Sequence, residues 1–167
     1  GITDTDIADQ YKYTQDIVTD SKGVLKGLSW QGCPGALFYN REAAKEVFGT
    51  DDPATIQGYV KDWDTFVATA ATLKEAGYYA CSSVMDTYRV YSNNVSTPWV
   101  VDGKIKIDKN IEKWVTDSKT MFDAGYTGNH ALWGEEWSAG FYPEGKVFAY
   151  FGPAWLINFC MAADQEG

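Results

Sequence analysis

The sequence predicts a helix-rich α/β or α+β fold, and three observations predict it. Apolar residues recur at three- and four-residue spacing after Asp62 and again after Asp108. Short β-rich runs lie between and around these segments. Asp102-Gly103 separates two such runs, the strongest short hairpin signal, because both turn positions need positive φ. The chain has 167 residues, room for one domain of ordinary size. Its 45% hydrophobic and 22% charged content excludes disordered and fibrous classes. No apolar stretch reaches the ~20 residues of a membrane-spanning helix, and none is flanked like a signal peptide.

Taken in order, Thr3-Asp4 gives a capping signal for a weakly helical run to about Val18, and residues 20–23 read as a turn. Residues 24–30 look like a short strand, broken by residues 31–35 and resumed over 36–39. A helical pattern from Arg41 to Phe48 closes on Gly49. Asp62 is the expected N-cap of the next helix, with Trp63, Phe66, Val67, Ala70 and Leu73 on one face and Gly77 as the stop. Residues 78–82 read as a strand. The helix after Asp108 places Ile111, Trp114, Val115, Met121 and Phe122 on one face and ends at Gly125. Both helices finish in Ala-Gly-Tyr, a shared helix-ending chemistry. Residues 146–151 form an apolar strand, and residues 154–163 read as a helix with Pro153 at its first position.

Fourteen basic and 23 acidic side chains leave a net charge of −9, the wrong sign for tracking phosphates, so nucleic acid is excluded as a partner. Cys33, Cys81 and Cys160 are an odd set that implies no closed disulfide framework. With no CxxC pair and the single His130, a Cys/His zinc site lacks its ligands. The outlier is aromatic content: 16%, with seven Trp and eleven Tyr, more than a core of this size requires.

Four clusters hold the surplus rings beside polar groups: Trp30-Gln31, Asp86-Thr87-Tyr88-Arg89, Trp133-Gly134-Glu135-Glu136-Trp137 and Gly152-Pro153-Ala154-Trp155. Three of them fall where a strand ends beside a helix start, the usual ligand position in open α/β sheets. A sugar has apolar C–H faces and a rim of hydroxyls. Indole and phenol rings suit the faces, and Asp, Gln and Arg suit the rim. Trp63 and Trp114, on apolar helix faces, read as core.

Among enzymes, a glycosidase-like domain would draw on Glu135, Glu136 or Glu144 as acid and base. Adjacent glutamates on a helix point ~100° apart, so Glu135 and Glu136 suit a solvated first turn better. No nucleophile elbow, P-loop or dinucleotide fingerprint occurs. A self-sufficient carbohydrate-binding module is a further alternative, but most are β-sandwiches, against which the two amphipathic helices argue.

The order of these elements resembles a known family. The runs Gly23–Trp30 and Ala36–Glu42, the helix start Asp62-Trp63-Asp64-Thr65-Phe66, and the segment Phe141–Trp155 with its Gly145-Lys146, strand, Gly152-Pro153 and Trp155 resemble bacterial extracellular solute-binding proteins of carbohydrate ABC importers. The resemblance implies a periplasmic-binding-protein-like (type II) single lobe with a small mixed sheet, residues 1–167 being the C-terminal lobe of a two-lobe protein. It implies an extracellular or periplasmic, lipid-anchored protein that closes on a sugar by hinge motion and does no covalent chemistry. Its partners would be a carbohydrate, an N-terminal lobe of the same polypeptide and the importer's membrane subunits, with no cofactor and no metal. Asp86 and Tyr88 match an acid-x-Tyr element that contacts sugar in the family, whereas Ala154 stands where the maltodextrin-binding members place a stacking Trp. The expected sugar-binding set is Trp30, Gln31, Asp86, Tyr88, Arg89, Trp133, Trp137 and Trp155.

Overall fold

The computed structural model describes residues 3–161, which fall into two units meeting between Pro34 and Gly35. In the first, α1 (Asp4–Ile7) opens on a reciprocal box in which the Thr3 amide and hydroxyl both donate to Asp6 at 2.7 Å. After α2 (Lys12–Ile17) the Asp20 carboxylate accepts from the amides of Lys22 and Val24, each at 2.9 Å, and makes the expected turn. Residues 24–30 do not form the expected strand. Only Leu25 bridges, to Thr19, because no neighbouring strand offers these residues a ladder.

The second unit runs β1 (Gly35–Tyr39), α3 (Arg41–Phe48), α4 (Pro53–Val60), α5 (Trp63–Glu75), β2 (Tyr79–Cys81) and α6 (Met85–Ser92). The hairpin β3 (Val100–Val101) and β4 (Lys104–Ile105) follows, then α7 (Lys109–Asp123), α8 (Glu135–Ala139) and β5 (Val147–Pro153). The fold is thus mixed helix and sheet. β5 lies between the other two strands of the main sheet, antiparallel to β1 and parallel to β2. One core gathers Ala43, Ala44, Ile56, Phe66, Ala70, Leu73, Cys81, Met121 and Phe148; a second gathers Trp137, Val147, Tyr150 and Leu156. β5 feeds both.

Short polar side chains start the helices. Asn40, Asp52, Asp62 and Asp108 accept from backbone amides inside the first turns of α3, α4, α5 and α7 at 2.7–3.0 Å. The Ala-Gly-Tyr endings of α5 and α7 are paired Schellman caps. Gly77 and Gly125 stand at φ 85° and 65°, and the amides of Tyr78 and Tyr126 each donate back to Leu73 and Met121 at 2.9 and 2.8 Å. The Lys74 ammonium then caps the neighbouring helix, donating to the carbonyls of Ala124 and Gly125 at 2.8 and 3.2 Å.

Two expectations are corrected here. Val115 and Phe122 do not face the core; they are 55% and 53% exposed, one residue off the buried stripe of Ile111 and Met121. Pro153 does not start a helix but ends β5, opposite Gly35. The Asn40 amide donates to Phe148, so pairs bonded to β1 alternate and the Pro153 nitrogen faces the β2 side, where β2 has already ended. Its missing N–H therefore breaks no ladder. Beyond it a turn at 154 leads into the expected helix, α-helical over 155–156 and π-helical over Ile157–Met161; its residues 162–163 lie outside the described residues. α4 and α6 were not foreseen as helices.

The Asp108 carboxylate gathers three more donors than a simple cap. Besides Asn110 it accepts from the amides of Ser96 and Thr97 and from the Ser96 hydroxyl. These bonds, the Asn110 amide foremost, hold its pKa down to about 2. A depressed carboxylate pKa stabilises the fold above the ordinary value of 3.8 and ceases to do so as pH falls through about 2. Thermal melts followed by circular dichroism from pH 5 to pH 2 should therefore show the wild-type chain losing stability more steeply than Asp108→Ala, which starts lower and falls less.

Candidate functional site

Helix and strand ends bring together most of the aromatic surplus. β2 and β5 run parallel, and the segments leaving their carboxyl ends carry Asp86 and Trp155 respectively. α8 and the loop before it add Trp133 and Trp137. The spacing Trp133, Trp137, Phe141 is four residues each time, which stacks the rings along one side of that helical stretch.

Trp137 is the centre of the cluster, and its place corrects the expectation that its ring is open to a ligand. It is 2% exposed. Phe141 and Tyr150 meet its ring edge-on at 5.0 and 5.1 Å, and they stack on each other at 4.0 Å. Its indole N–H donates to Asp86 at 2.7 Å, and its carbonyl accepts from the Tyr150 hydroxyl at 2.7 Å. The hydroxyl reaches that carbonyl because position 140 is glycine: a Cβ there would collide with the Tyr150 oxygen and with Val147.

Asp86 likewise is turned inward. It is buried, and its second oxygen accepts from the Ser83 amide at 2.8 Å while the Ser83 hydroxyl accepts from the Met85 amide at 3.2 Å. This Ser83-x-x-Asp86 arrangement ties down the turn that leads into α6. Burial raises the Asp86 pKa to about 6, opposed by the bonds from Trp137 and Ser83. The acid expected to meet sugar hydroxyls thus spends both oxygens inside the protein. Next to it, Ser82 is buried with its hydroxyl 3.0 Å from His130 Nδ1.

The open rings lie outside this knot. Trp133 is 58% exposed and stacks on Trp155 with centroids 5.7 Å apart and planes 23° apart. Trp133 also leans on Trp137 at 4.8 Å. Its backbone has φ 65°, a left-handed conformation that costs a bulky residue on the order of 1 kcal/mol. Phe159, 77% exposed, meets Trp155 edge-on at 6.3 Å. Phe159 was not foreseen, although it stands four residues after Trp155, the spacing of helix neighbours.

The remaining expected residues belong to other elements. Tyr88 is half-buried and meets Trp114 edge-on at 4.9 Å, with the Arg89 guanidinium 6.0 Å from its ring. Trp114 donates its N–H to Thr87 at 3.2 Å. Trp63, expected as core, stacks on Tyr91 at 4.1 Å, and Tyr91 donates to Asp117 at 2.5 Å. Trp30, 92% exposed, and Gln31 belong to the first unit. Comparison with protein-family models, with curated proteins and with solved structures finds no match to this chain.

Chemically, the wall offers flat apolar area at the carboxyl ends of parallel strands, over a rigid buried base. Cys33 is exposed, Cys81 buried and Cys160 half-buried, all as free thiols. Because the Asp86 pKa is raised above its ordinary 3.8, ionisation works against the fold: stability from the neutral acid is full below pH 3.8 and lost as pH rises through about 6. In two-dimensional NMR the Trp137 indole N–H should shift with a midpoint near pH 6, and Asp86→Asn should abolish that titration. Tyr150→Phe, which removes one of two hydrogen bonds to the Trp137 carbonyl and leaves the Gly140 amide as its remaining donor, should cost about 0.5–1.5 kcal/mol in urea unfolding.

Proposed function

We propose that this chain supplies one wall of a carbohydrate cleft, in an extracellular or periplasmic solute-binding protein that delivers sugar to an ABC importer by closure of two lobes. One observation carries the reading: the exposed Trp133 indole stacks on the half-buried Trp155 beyond the carboxyl ends of parallel strands. A surplus of solvent-facing indole on a buried, hydrogen-bonded base suits the apolar face of a sugar ring. The single-lobe α/β architecture of the type II binding-protein class fits the small mixed sheet flanked by helices.

In this reading Trp133 and Trp155 stack on sugar, and Phe159 extends their surface. Trp137 and Asp86 act beneath them, holding the platform without touching ligand. Tyr88 and Arg89 contribute from α6 to hydroxyl contacts. Closure against a second lobe would add contacts made only in the closed state, so one wall alone binds weakly.

Saturation-transfer NMR of this chain with a panel of soluble oligosaccharides at millimolar concentration tests the proposal. Transfer to ring C–H protons should appear for at least one sugar and drop about ten-fold with Trp133→Ala, the loss of roughly 1.4 kcal/mol of stacking. Absence of transfer from the whole panel, or indifference to Trp133→Ala, rejects it. Turnover of aryl glycosides that disappears in Glu135→Gln or Glu144→Gln would transfer the site to the enzyme class.

A further inference from the structure

β1 forms one border of the main sheet. Pro153 has no N–H, so its pair with Gly35 is a non-bonded one, and the β1-side residues bonded to β5 are Ala36, Phe38 and Asn40. The N–H and C=O groups of Leu37 and Tyr39 therefore point away from the sheet. Among the described residues nothing bonds them. The strand also lacks the devices that blunt a sheet border. Gly35–Tyr39 includes no charge and no proline, and its register with β5 runs without a bulge.

A cavity of about 630 Å³, within the range of ligand pockets, adjoins the same strand. The consecutive residues 37–42 line it, together with Phe141, Tyr150, Ile157 and Met161. Ile157 and Met161 stand four residues apart on the helical stretch whose other side chains, Trp155 and Phe159, belong to the aromatic wall. The two sites are thus distinct. The Arg41 guanidinium at this cavity is already paired with Asp51 at 2.7 Å, whereas the exposed Glu42 carboxylate has no basic partner among the described residues.

We propose that an extended segment of another polypeptide adds to this border as a fourth strand, its main chain bonding Leu37 and Tyr39 and every second side chain entering the cavity. The outward donors and acceptors of Leu37 and Tyr39 recur two residues apart, ~7 Å along the strand. An extended main chain returns acceptors and donors at that same spacing, which a ring of sugar hydroxyls or a lipid headgroup does not. Side chains on the Phe38 side of the added strand meet Phe141, Tyr150, Ile157 and Met161, so they must be apolar. Glu42 and the net charge of −9 favour a cationic segment over an anionic one. A second copy fits less well. It repeats the charge of −9, and its own Leu37, Phe38 and Tyr39 are engaged with its cores, which leaves none to fill the cavity. The inference stands apart from the sugar-binding reading.

Heteronuclear NMR of this chain with three capped heptapeptides, in which Leu, Val or Phe alternates with Thr between terminal lysines, tests it. At millimolar peptide, at least one should shift the Leu37 and Tyr39 amide signals and slow their hydrogen exchange about ten-fold. The Phe38 amide, already held by β5, should keep its exchange rate. N-methylation of one alternate set of that peptide's amides should abolish the effect, and methylation of the other set should preserve it, because only one set faces the border. Ile157→Asp, at an exposed position, should weaken binding about ten-fold by placing a charge in the cavity, and circular dichroism checks that the variant keeps its fold. No change at Leu37 and Tyr39 with all three peptides, equal loss from both methylated sets, or indifference to Ile157→Asp overturns the proposal. A dimer in analytical ultracentrifugation that the peptide dissolves would also overturn it, assigning the border to a second copy of the chain.

Discussion

Burial of the Trp137 indole is the constraint on which the site depends. An indole N–H placed in a core without an acceptor costs several kcal/mol in desolvation, and Asp86 removes that cost at 2.7 Å. The same carboxylate closes the start of α6 through Ser83. The Trp137 carbonyl takes the Tyr150 hydroxyl, so β5, α8 and α6 are joined through one residue. A carboxyl used in this way must be buried, and burial raises its pKa. The outward indole of Trp133 rests on this assembly, which gives the wall a fixed floor.

Aspartate serves two opposite purposes in the chain. At the starts of α5 and α7 it is satisfied by hydrogen bonds from the first turn, which lower its tendency to hold a proton. At Asp86 the surroundings are apolar rings and the tendency is reversed. Much of the excess negative charge is thus engaged locally, in caps and in ion pairs with lysines of neighbouring turns.

Local signals carried most of the fold. Asp62, Asp108 and the two Ala-Gly-Tyr endings mark α5 and α7 because a helix must satisfy its terminal amides and carbonyls close by in sequence. Asp102-Gly103 marks the hairpin for the same reason of local geometry. α4 was missed because Gly58 and its β-branched residues weaken the pattern, and Ile56, buried in the tertiary core, stabilises it instead. In α6 the Ser83-x-x-Asp86 spacing was a helix start read as a ligand-binding acid. Residues 24–30 have strand-like composition, but pairing is a property of a partner elsewhere. At the site, the clustering of Trp133, Trp137 and Trp155 was legible from spacing and strand ends. Which ring is open and which is buried was not, since that depends on Tyr150 and Gly140 meeting across the fold.

The order of the main sheet bears on how the molecule acquires its structure. β1 and β2 have no bonds to each other, and both wait for β5, more than a hundred residues after the first of them. During synthesis the helices with local caps and the β3–β4 hairpin can form early, but the main sheet does not exist until Val147–Pro153 has emerged. Closure of so long a loop is slow, and the apolar edges of β1 and β2 stay open to other chains meanwhile. The central strand is therefore also the last stitch, and nascent chains paused before it are the species that chaperones would have to hold.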